Sequence, residues 1–444
     1  MSKQLDHPRG AAIVIGASMA GLCAARALAN HFQTVTIFER DALPNSPADR
    51  RGVPQGRHFH GLLIAGQRRL ESWFPGFTDE LIAGGAVPIS LTRDGHFYMN
   101  GGTRIRFDSD LKMPACSRSL LEYYVRERVR DLRGVILRAD TSVADLTSTE
   151  DGRRITGVRL GNGISYRADF VVDASGRGAR SLRWLAPLGY EAPPTDNVTI
   201  DVGYATRVIR PPPGETRDWR FAMVSADPPT RLCALYPMER GRWVVTLAGY
   251  HGDHPPTDDA GYLAFAKSLP SSVVADLLTR SEPLGPVVGY RFLSSQLRHF
   301  TRATRLPHGL VVLGDGICSL NPVYGQGMTS ATLQAEALDA TLEQTAGLDE
   351  QLARAFYRRA AKSVVPLWQM ATGGDLTLPG TAGPTPFLIA AVRRMANWYM
   401  QRLMRAGSVS ATVSQRMLEV LHLVSPPSAL LSPGMIYRAL GGQP

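Results

Sequence analysis

The chain has 444 residues, 44% hydrophobic and 20% charged, enough for two or three domains with a sizeable core. No apolar run reaches the ~18–20 residues of a membrane span, and the polar start MSKQLDHPRG reads as no secretory leader. The net charge of +10 is almost all arginine, dispersed without interleaved aromatics, which argues against nucleic acid and leaves an acidic ligand, an acidic carrier protein or an anionic membrane surface as partners for long-range attraction.

The first element is AAIVIG (Ala11–Gly16), a short apolar run of buried-strand type. It turns through GASMAG into GLCAARALANH, where Leu22, Ala25, Leu28 and Ala29 follow helical spacing, and TVTIFER (Thr34–Arg40) is a second strand. Together they spell a βαβ unit with GxGxxG, and Glu39 falls about where a ribose-binding acid belongs. Gly16 serves the tight turn, and Gly21 lets the helix pack on the sheet. The helix N-terminus offers N–H groups and partial positive charge to a pyrophosphate. Ser18 replaces the middle glycine, and its hydroxyl is expected to donate to that phosphate.

LPNSPADRRGVPQGRHFHGLL follows as a Pro-, Gly- and Arg-rich loop, where an NAD dehydrogenase would more simply continue its βαβ alternation. His58 and His60 share a face if extended, a metal-pair spacing, but with no third ligand nearby no metal is expected. ACSRSLLEYYVRERVRDL predicts a helix with a capping box at Ser119 and Glu122. Leu121, Val125, Val129 and Leu132 line one face of it, with Arg118 at its entrance. VILRADTSVADLTS, which contains Val143, and a hairpin turning at Asn162-Gly163 form the next β layer.

Between about 190 and 300, RFAMVSA, RLCALYPME and RWVVTLAGY read as strands of an antiparallel sheet. Phe221, Met223, Tyr236 and Trp243 are candidates to line an apolar cavity there, with plain core as the competing reading. Then TRLPHGLVVLGDGICSLNPVYGQGM carries an apolar run into Gly314-Asp315, followed by a Pro/Gly loop and a helix beginning near Met328.

With these motifs assembled, the sequence resembles the flavoprotein monooxygenases of the para-hydroxybenzoate hydroxylase fold. That family binds FAD through GxGxxG, a middle Asp-Gly motif and a late Gly-Asp motif; here VVDASGRGARS (Val171–Ser181) takes the middle place with Asp173-Ala174-Ser175-Gly176, and GLVVLGD supplies the last. The resemblance covers roughly residues 10–345. RRGVPQGRHFH and LNPVYGQGMT further resemble bacterial epoxidases of polyene precursors to polyethers and, more distantly, squalene epoxidase. The fold so implied is an α/β, glutathione reductase-type FAD-binding domain (8–85, 114–185 and 290–345) interleaved with a β-sheet substrate domain (86–113 and 186–289), plus a C-terminal helical region (346–444).

The implied cofactor contacts are Gly16, Ser18, Met19, Gly21, Glu39 and Arg40 at the adenosine and pyrophosphate end, with Arg51, Arg118 and Val143. Asp315 would accept from a ribityl hydroxyl. Gly325, Gln326 and Gly327 would lie against the flavin ring, and the Met328 helix would point its N-terminus at the flavin pyrimidine edge, stabilising the reduced anion. His58 and His60 would sit near FAD or the cavity mouth. The activity implied is insertion of one oxygen atom from O2 into an apolar natural-product substrate through a flavin C(4a)-hydroperoxide. Alkene epoxidation needs no general base, phenol hydroxylation is helped by one, and the sequence presents none, which favours the alkene. NAD(P)H would reduce the flavin directly or through a separate flavin reductase.

The C-terminal stretch FLIAAVRRMANWYMQRLMR puts Arg394, Asn397, Gln401 and Arg405 on a narrow polar stripe, so the helix is expected to pack on the catalytic body or rest on a membrane. Cys23, Cys116, Cys233 and Cys318 form no CxxC or disulfide framework, so a reducing cytoplasm is the expected setting. A flavin-dependent halogenase is set aside, because no lysine lies between Lys3 and Lys112 and no two tryptophans are one residue apart. A prenyl reductase or carotenoid cyclase of similar layout, and a non-catalytic binding protein for an apolar ligand, remain as alternatives.

Overall fold

The computed structural model describes residues 9–50, 52–99, 101–384 and 387–441, with the side chains of 387–393 left undescribed. Its first layer is a five-stranded parallel sheet in the order Leu310–Val312, Phe170–Asp173, Arg9–Ile15, Phe32–Phe38 and Val135–Arg138. These short apolar runs are covered on both faces, as a parallel sheet requires. Alternation divides them. Ala12, Val14, Val35 and Ile37 face the helices Met19–Leu28 and Gly327–Gln344, while Ile13, Ile15 and Phe38 face Val143, Ile155 and Val158 of a three-stranded antiparallel sheet. That small sheet carries the Asn162-Gly163 hairpin, with Gly163 at φ +87°.

The helix Arg118–Arg130 corrects the capping expectation. Its N-cap is Ser117, whose extended backbone lets the hydroxyl accept from Leu120 N at 3.1 Å. Ser119 sits inside the first turn, and Glu122 is drawn to arginines instead of the backbone. Leu121, Val125 and Val129 are buried as expected.

The second layer is a large mixed sheet built on the long strand Thr195–Arg210, flanked by Val288–Arg298 and Arg242–Tyr250. Arg231–Met238 and Phe221–Ser225 continue it antiparallel, and Gly95–Met99 joins in parallel at the far side. One face buries Ala205, Val245 and Leu247 under the helices Asp259–Lys267 and Val273–Arg280. The other face looks back toward the parallel-sheet layer.

The helix Glu350–Asp375 packs on the same core as the parallel sheet through Leu352, Phe356, Val364 and Leu367. Beyond it, Phe387–Val409, Ala411–Leu421 and Pro433–Ala439 enclose Leu403, Val413, Met417 and Met435. This region docks on the body: Leu418 joins a cluster with Ile64 and Ile89, and Ile105 N donates to Ser408 O at 3.0 Å. Arg394, Gln401 and Arg405 are exposed, but so are Met395 (66%) and Trp398 (47%), so the outer face is mixed rather than a narrow polar stripe.

Candidate active site

The glycine turn is held by backbone geometry. Gly16 adopts φ +100° and donates to Phe38 O at 2.8 Å, a conformation favourable only to glycine. A Cβ on Gly21 would run into the Gly16 carbonyl oxygen, so helix and turn approach too closely for any side chain. Ser18 caps the helix with extended backbone, and Met19 is buried behind it. The Ser18 hydroxyl accepts from Arg118 Nη2 at 2.9 Å and lies 3.3 Å from Glu122 Oε2.

Glu39 is buried, with Oε2 accepting from Ala17 N at 2.8 Å and Oε1 from Asp41 N at 3.0 Å. Arg50, a residue the sequence did not single out, reaches Glu39 at 3.2 Å, Asp41 at 3.1 Å and Glu122 at 2.7 Å, and its buried Nη2 has no partner. Burial works to raise the Glu122 carboxyl, but the Arg118 and Arg50 guanidiniums outweigh it and hold the pKa down. Nothing local in DRRG separates Arg50 from Arg51, which lies outside the described residues. Arg40 is about half exposed and lies 3.9 Å from Asp41. Val143 opens its strand in the apolar cluster with Ile13 and Phe38. The middle-motif carboxylate, Asp173, is spent on its own loop, accepting from Ser175 N and Ser181 N.

At the other end, Gly314 (φ +81°) donates to Gln334 Oε1 at 2.7 Å and sets Asp315 at the strand end. The Asp315 carboxylate has no hydrogen-bond partner among the described residues. Burial raises its pKa, against the pull of Arg118 and Arg177. Arg177, also missed by the sequence reading, is fixed by Ser294 and stacks over Phe292 at 5.0 Å. Gly325 is left-handed at φ +64°, and Met328 is buried in the core. Gln326 is buried with both amide atoms unpartnered. A Cβ on Gly327 would meet nothing nearer than Asp315 Oδ1 at 4.0 Å, so open space lies in front of the helix N-terminus.

Buried polar groups almost always find partners. The unspent Gln326 amide, the free Asp315 carboxylate, the spare Arg50 Nη2 and the glycine cradle therefore fit a long dinucleotide with polar groups at both ends. FAD is such a group.

Beside this cradle lies a cavity of about 280 Å³ lined by Phe59, Met99, Met223, Leu232, Ala248, Val323 and Leu378, with no Asp, Glu, Lys or Arg of the described residues in its wall. Strand register decides who reaches it. Tyr290, Tyr204, Ala248 and Leu232 form one cross-strand row and all line the cavity. Met223 pairs with Ala234 in the next row and lines it too. Phe221 and Tyr236 share that face but are buried in the adjoining core, with Tyr236 Oη donating to His60 O at 2.7 Å. Trp243, one residue out of step with Val244, faces the opposite side, against Trp219 and under Arg217 at 4.5 Å.

His58 and His60 both line the cavity. Burial, with Arg57 adding to it, brings His58 down to about 4; burial and then Arg118 bring His60 down to about 3. Both are neutral near pH 7. His58 Nδ1 bonds Thr206 Oγ1 at 2.7 Å, and its buried Nε2 has no partner. Among the described residues no group of three or more His, Cys, Asp or Glu could hold a metal ion.

One carboxylate was missed entirely. Asp375, the last residue of the helix Glu350–Asp375, accepts on Oδ1 from Asn321 Nδ2 at 2.8 Å and from Tyr324 Oη at 3.0 Å. Burial pushes its pKa up to about 6, with those hydrogen bonds opposing the shift. An acid at a helix C-terminus opposes the macrodipole, and that misfit is the signal by which the sequence could have flagged it.

A parallel-sheet dinucleotide cradle abutting a mixed sheet with an apolar cavity defines the fold of the FAD-dependent monooxygenases. PqsL of Pseudomonas aeruginosa, described as a probable FAD-dependent monooxygenase, superposes with a TM-score of 0.61 at 17% identity over 83% of this chain and 96% of its own. The chain belongs to the family of Protein Rv3254 of Mycobacterium tuberculosis, to which it is 34% identical over 434 residues, 90% of this chain and 91% of that one. It is also 26% identical over 388 residues to the kynurenine 3-monooxygenase of Salinispora arenicola, covering 81% and 77% of the two chains. No protein-family model matches the chain.

Proposed function

We propose that this protein is an FAD-dependent monooxygenase that places one oxygen atom from O2 on an apolar, uncharged small molecule, with alkene epoxidation as the reaction. The observation that carries this reading is the cavity wall, free of Asp, Glu, Lys and Arg among the described residues and joined to the unspent Asp315–Gln326 cradle by the turn Pro322–Tyr324. When bound, FAD supplies the reductive activation of O2. Gly16, Gly21, Ser18, Glu39 and Arg50 would hold its adenosine and pyrophosphate end, and Asp315 with the Gly325–Gly327 loop its flavin end. The apolar wall would exclude water and hold the substrate close.

The test is turnover with reduced flavin under oxygen-18 gas on a panel of lipophilic alkenes and phenols. Product should carry a single oxygen-18. Label arriving only from water, or a reduced double bond as sole product, rules the reading out.

Aromatic hydroxylation is the second reading. Asp375, a carboxyl with a pKa near 6 hydrogen-bonded to cavity-lining Tyr324, supplies the proton acceptor that phenol chemistry favours, and the likeness to kynurenine 3-monooxygenase points the same way. The reductant in either case is NAD(P)H, acting directly or through a separate flavin reductase; oxidation of NADPH by the purified protein alone separates the two. Peripheral membrane contact by the C-terminal helices is part of the proposal, supported by exposed Met395 and Trp398 beside Arg394, Arg402 and Arg405.

A further inference from the structure

Three tyrosines converge on one end of the cavity, and their hydrogen bonds can be followed atom by atom. Tyr204 Oη donates to Asn321 Oδ1 at 3.0 Å, which also accepts from Val323 N at 3.1 Å. Tyr324 Oη donates to Asp375 Oδ1, as does Asn321 Nδ2, and the same Nδ2 donates to Tyr250 Oη at 3.3 Å. Asn321 and Asp375 thus fix all three rings while both are buried without measurable exposure. Two atoms of the network are left over among the described residues: Asp375 Oδ2, buried behind the rings without a partner, and the Tyr250 O–H, which has no acceptor although Tyr250 is only 5% exposed and, unlike Asp375, lines the cavity. An unused donor in so dry a place is costly, and a ligand oxygen would relieve that cost.

We propose that this tyrosine cluster is a subsite for the single oxygen function, a hydroxyl or carbonyl, of an otherwise apolar and uncharged substrate, with Tyr250 as the donor that holds it. Charge considerations exclude a carboxylate there. Among the described residues no arginine or lysine lines the cavity, His58 and His60 are neutral, and the buried Asp375 behind the rings would repel an anion. Asp375 and Asn321 are positioning residues, since they act through the tyrosines. Tyr204 and Tyr324 spend their own protons on this scaffold, so within the cluster Tyr250 is the tyrosine left to donate. The substrate class this selects is a lipophilic alcohol, aldehyde or ketone, not a hydrocarbon and not an acid.

The inference rests on the reading of the cavity as the substrate site, and the test separates the two. FAD-loaded protein is titrated with farnesol, farnesal, farnesene and farnesoate, each displacing Nile red from the cavity. Farnesol or farnesal should displace the dye at concentrations about tenfold lower than farnesene, the gain for one well-placed hydrogen bond, and farnesoate should be weakest. An advantage shared by alcohol and aldehyde assigns the oxygen as acceptor alone; one confined to farnesol assigns a hydroxyl. Tyr250→Phe should bring the alcohol to within about twofold of the hydrocarbon without changing the hydrocarbon. Should that variant not fold, Asp375→Asn, which is isosteric, should cut the alcohol advantage at least about threefold. Equal binding of all four probes, tightest binding by farnesoate, displacement by none, or an intact alcohol preference in the variant that folds each overturns the subsite. The readout is binding, so an alcohol preference without oxygen-18 incorporation would fell the monooxygenase reading and leave the subsite standing.

Discussion

The dinucleotide cradle and the substrate cavity sit side by side and are built on opposite principles. The cradle is crowded with charge: Glu39, Arg50, Arg118, Glu122, Asp315 and Arg177 all lie along it, several of them buried. Among the described residues the cavity has no charged side chain in its wall, and the acid beside it, Asp375, is withdrawn behind a screen of tyrosines. The cradle's specificity comes from backbone that only glycine can follow. That of the cavity comes from which face of a strand each residue occupies. A ligand with fixed phosphates and hydroxyls suits the first, and a neutral lipophilic molecule suits the second.

The largest effect should come from a methyl group placed at two glycines of the cradle. Gly21→Ala drives a Cβ into the Gly16 carbonyl, where only a backbone shift can relieve it, so a loss of about 3 kcal/mol is expected in denaturant unfolding. Gly327→Ala meets open space at the start of a helix, and should leave stability unchanged or raise it by roughly 0.5–1 kcal/mol. FAD affinity should nonetheless fall in the second variant. Equal stability losses at both positions would show that the space in front of Gly327 is not reserved for a ligand.

Asp315→Ala should weaken FAD binding by about 10- to 100-fold, corresponding to ~1–3 kcal/mol for one lost hydrogen-bond acceptor. Its carboxylate makes no hydrogen bond among the described residues, so the fold should not suffer. Flavin fluorescence titration of a variant with unchanged circular dichroism is the measurement. Unchanged affinity would reduce Gly314-Asp315 to a turn.

These three positions were legible from sequence because their constraints are local. A positive φ, a close helix–turn approach and a strand-end acid each leave a mark within a few residues, and GASMAG and GDGICSLNPVYGQGM carry those marks. Arg50, Arg177 and Asp375 were not legible, since each has a defining partner from a distant segment: Arg50 has Glu122, 72 positions away, besides the nearby Asp41 and Glu39; Arg177 has Ser294 at 117; Asp375 has Asn321 at 54. The capping box failed for the opposite reason. Two serines stood two residues apart, and only the extended backbone at Ser117 decides which one caps. Asp375 belongs to no motif, and its place at the end of the helix Glu350–Asp375 is the one local mark it carries.

The Asp375 environment makes a prediction about pH. Its carboxyl is raised from an ordinary value of 3.8 to about 6 in the folded protein, so the native state binds a proton that the unfolded chain releases. The stability this contributes is fully present below about pH 4 and is lost as pH rises through about 6, a change of roughly 1–3 kcal/mol. Tyr204, Tyr250 and Tyr324 face the same carboxyl, but burial raises all three further above their ordinary value, so they do not titrate in this window. Asp375→Asn should therefore become progressively more stable relative to the parent protein from pH 4 to 7. A constant difference between the two across that range would mean that Asp375 is ionised throughout.

The smallest effect tests strand register, where a single step moves a side chain from one face of the sheet to the other. Met223 and Trp243 belong to the same sheet and both read as cavity candidates, yet only Met223 reaches the cavity, while Trp243 lies beneath Arg217 on the far face. Met223→Ala removes apolar surface from the wall and should raise the dissociation constant of a lipophilic ligand about fivefold, equivalent to ~1 kcal/mol. Trp243→Phe should change that constant by less than about twofold and instead lower stability by roughly 1 kcal/mol, through lost stacking with Trp219 and Arg217. Ligand titration and chemical unfolding of both variants decide the matter. The diagnostic result is the crossing of the two effects: affinity moved by one residue and stability by the other. If Trp243→Phe weakened the ligand as much as Met223→Ala, the row Tyr290–Tyr204–Ala248–Leu232 would not be the face the substrate sees.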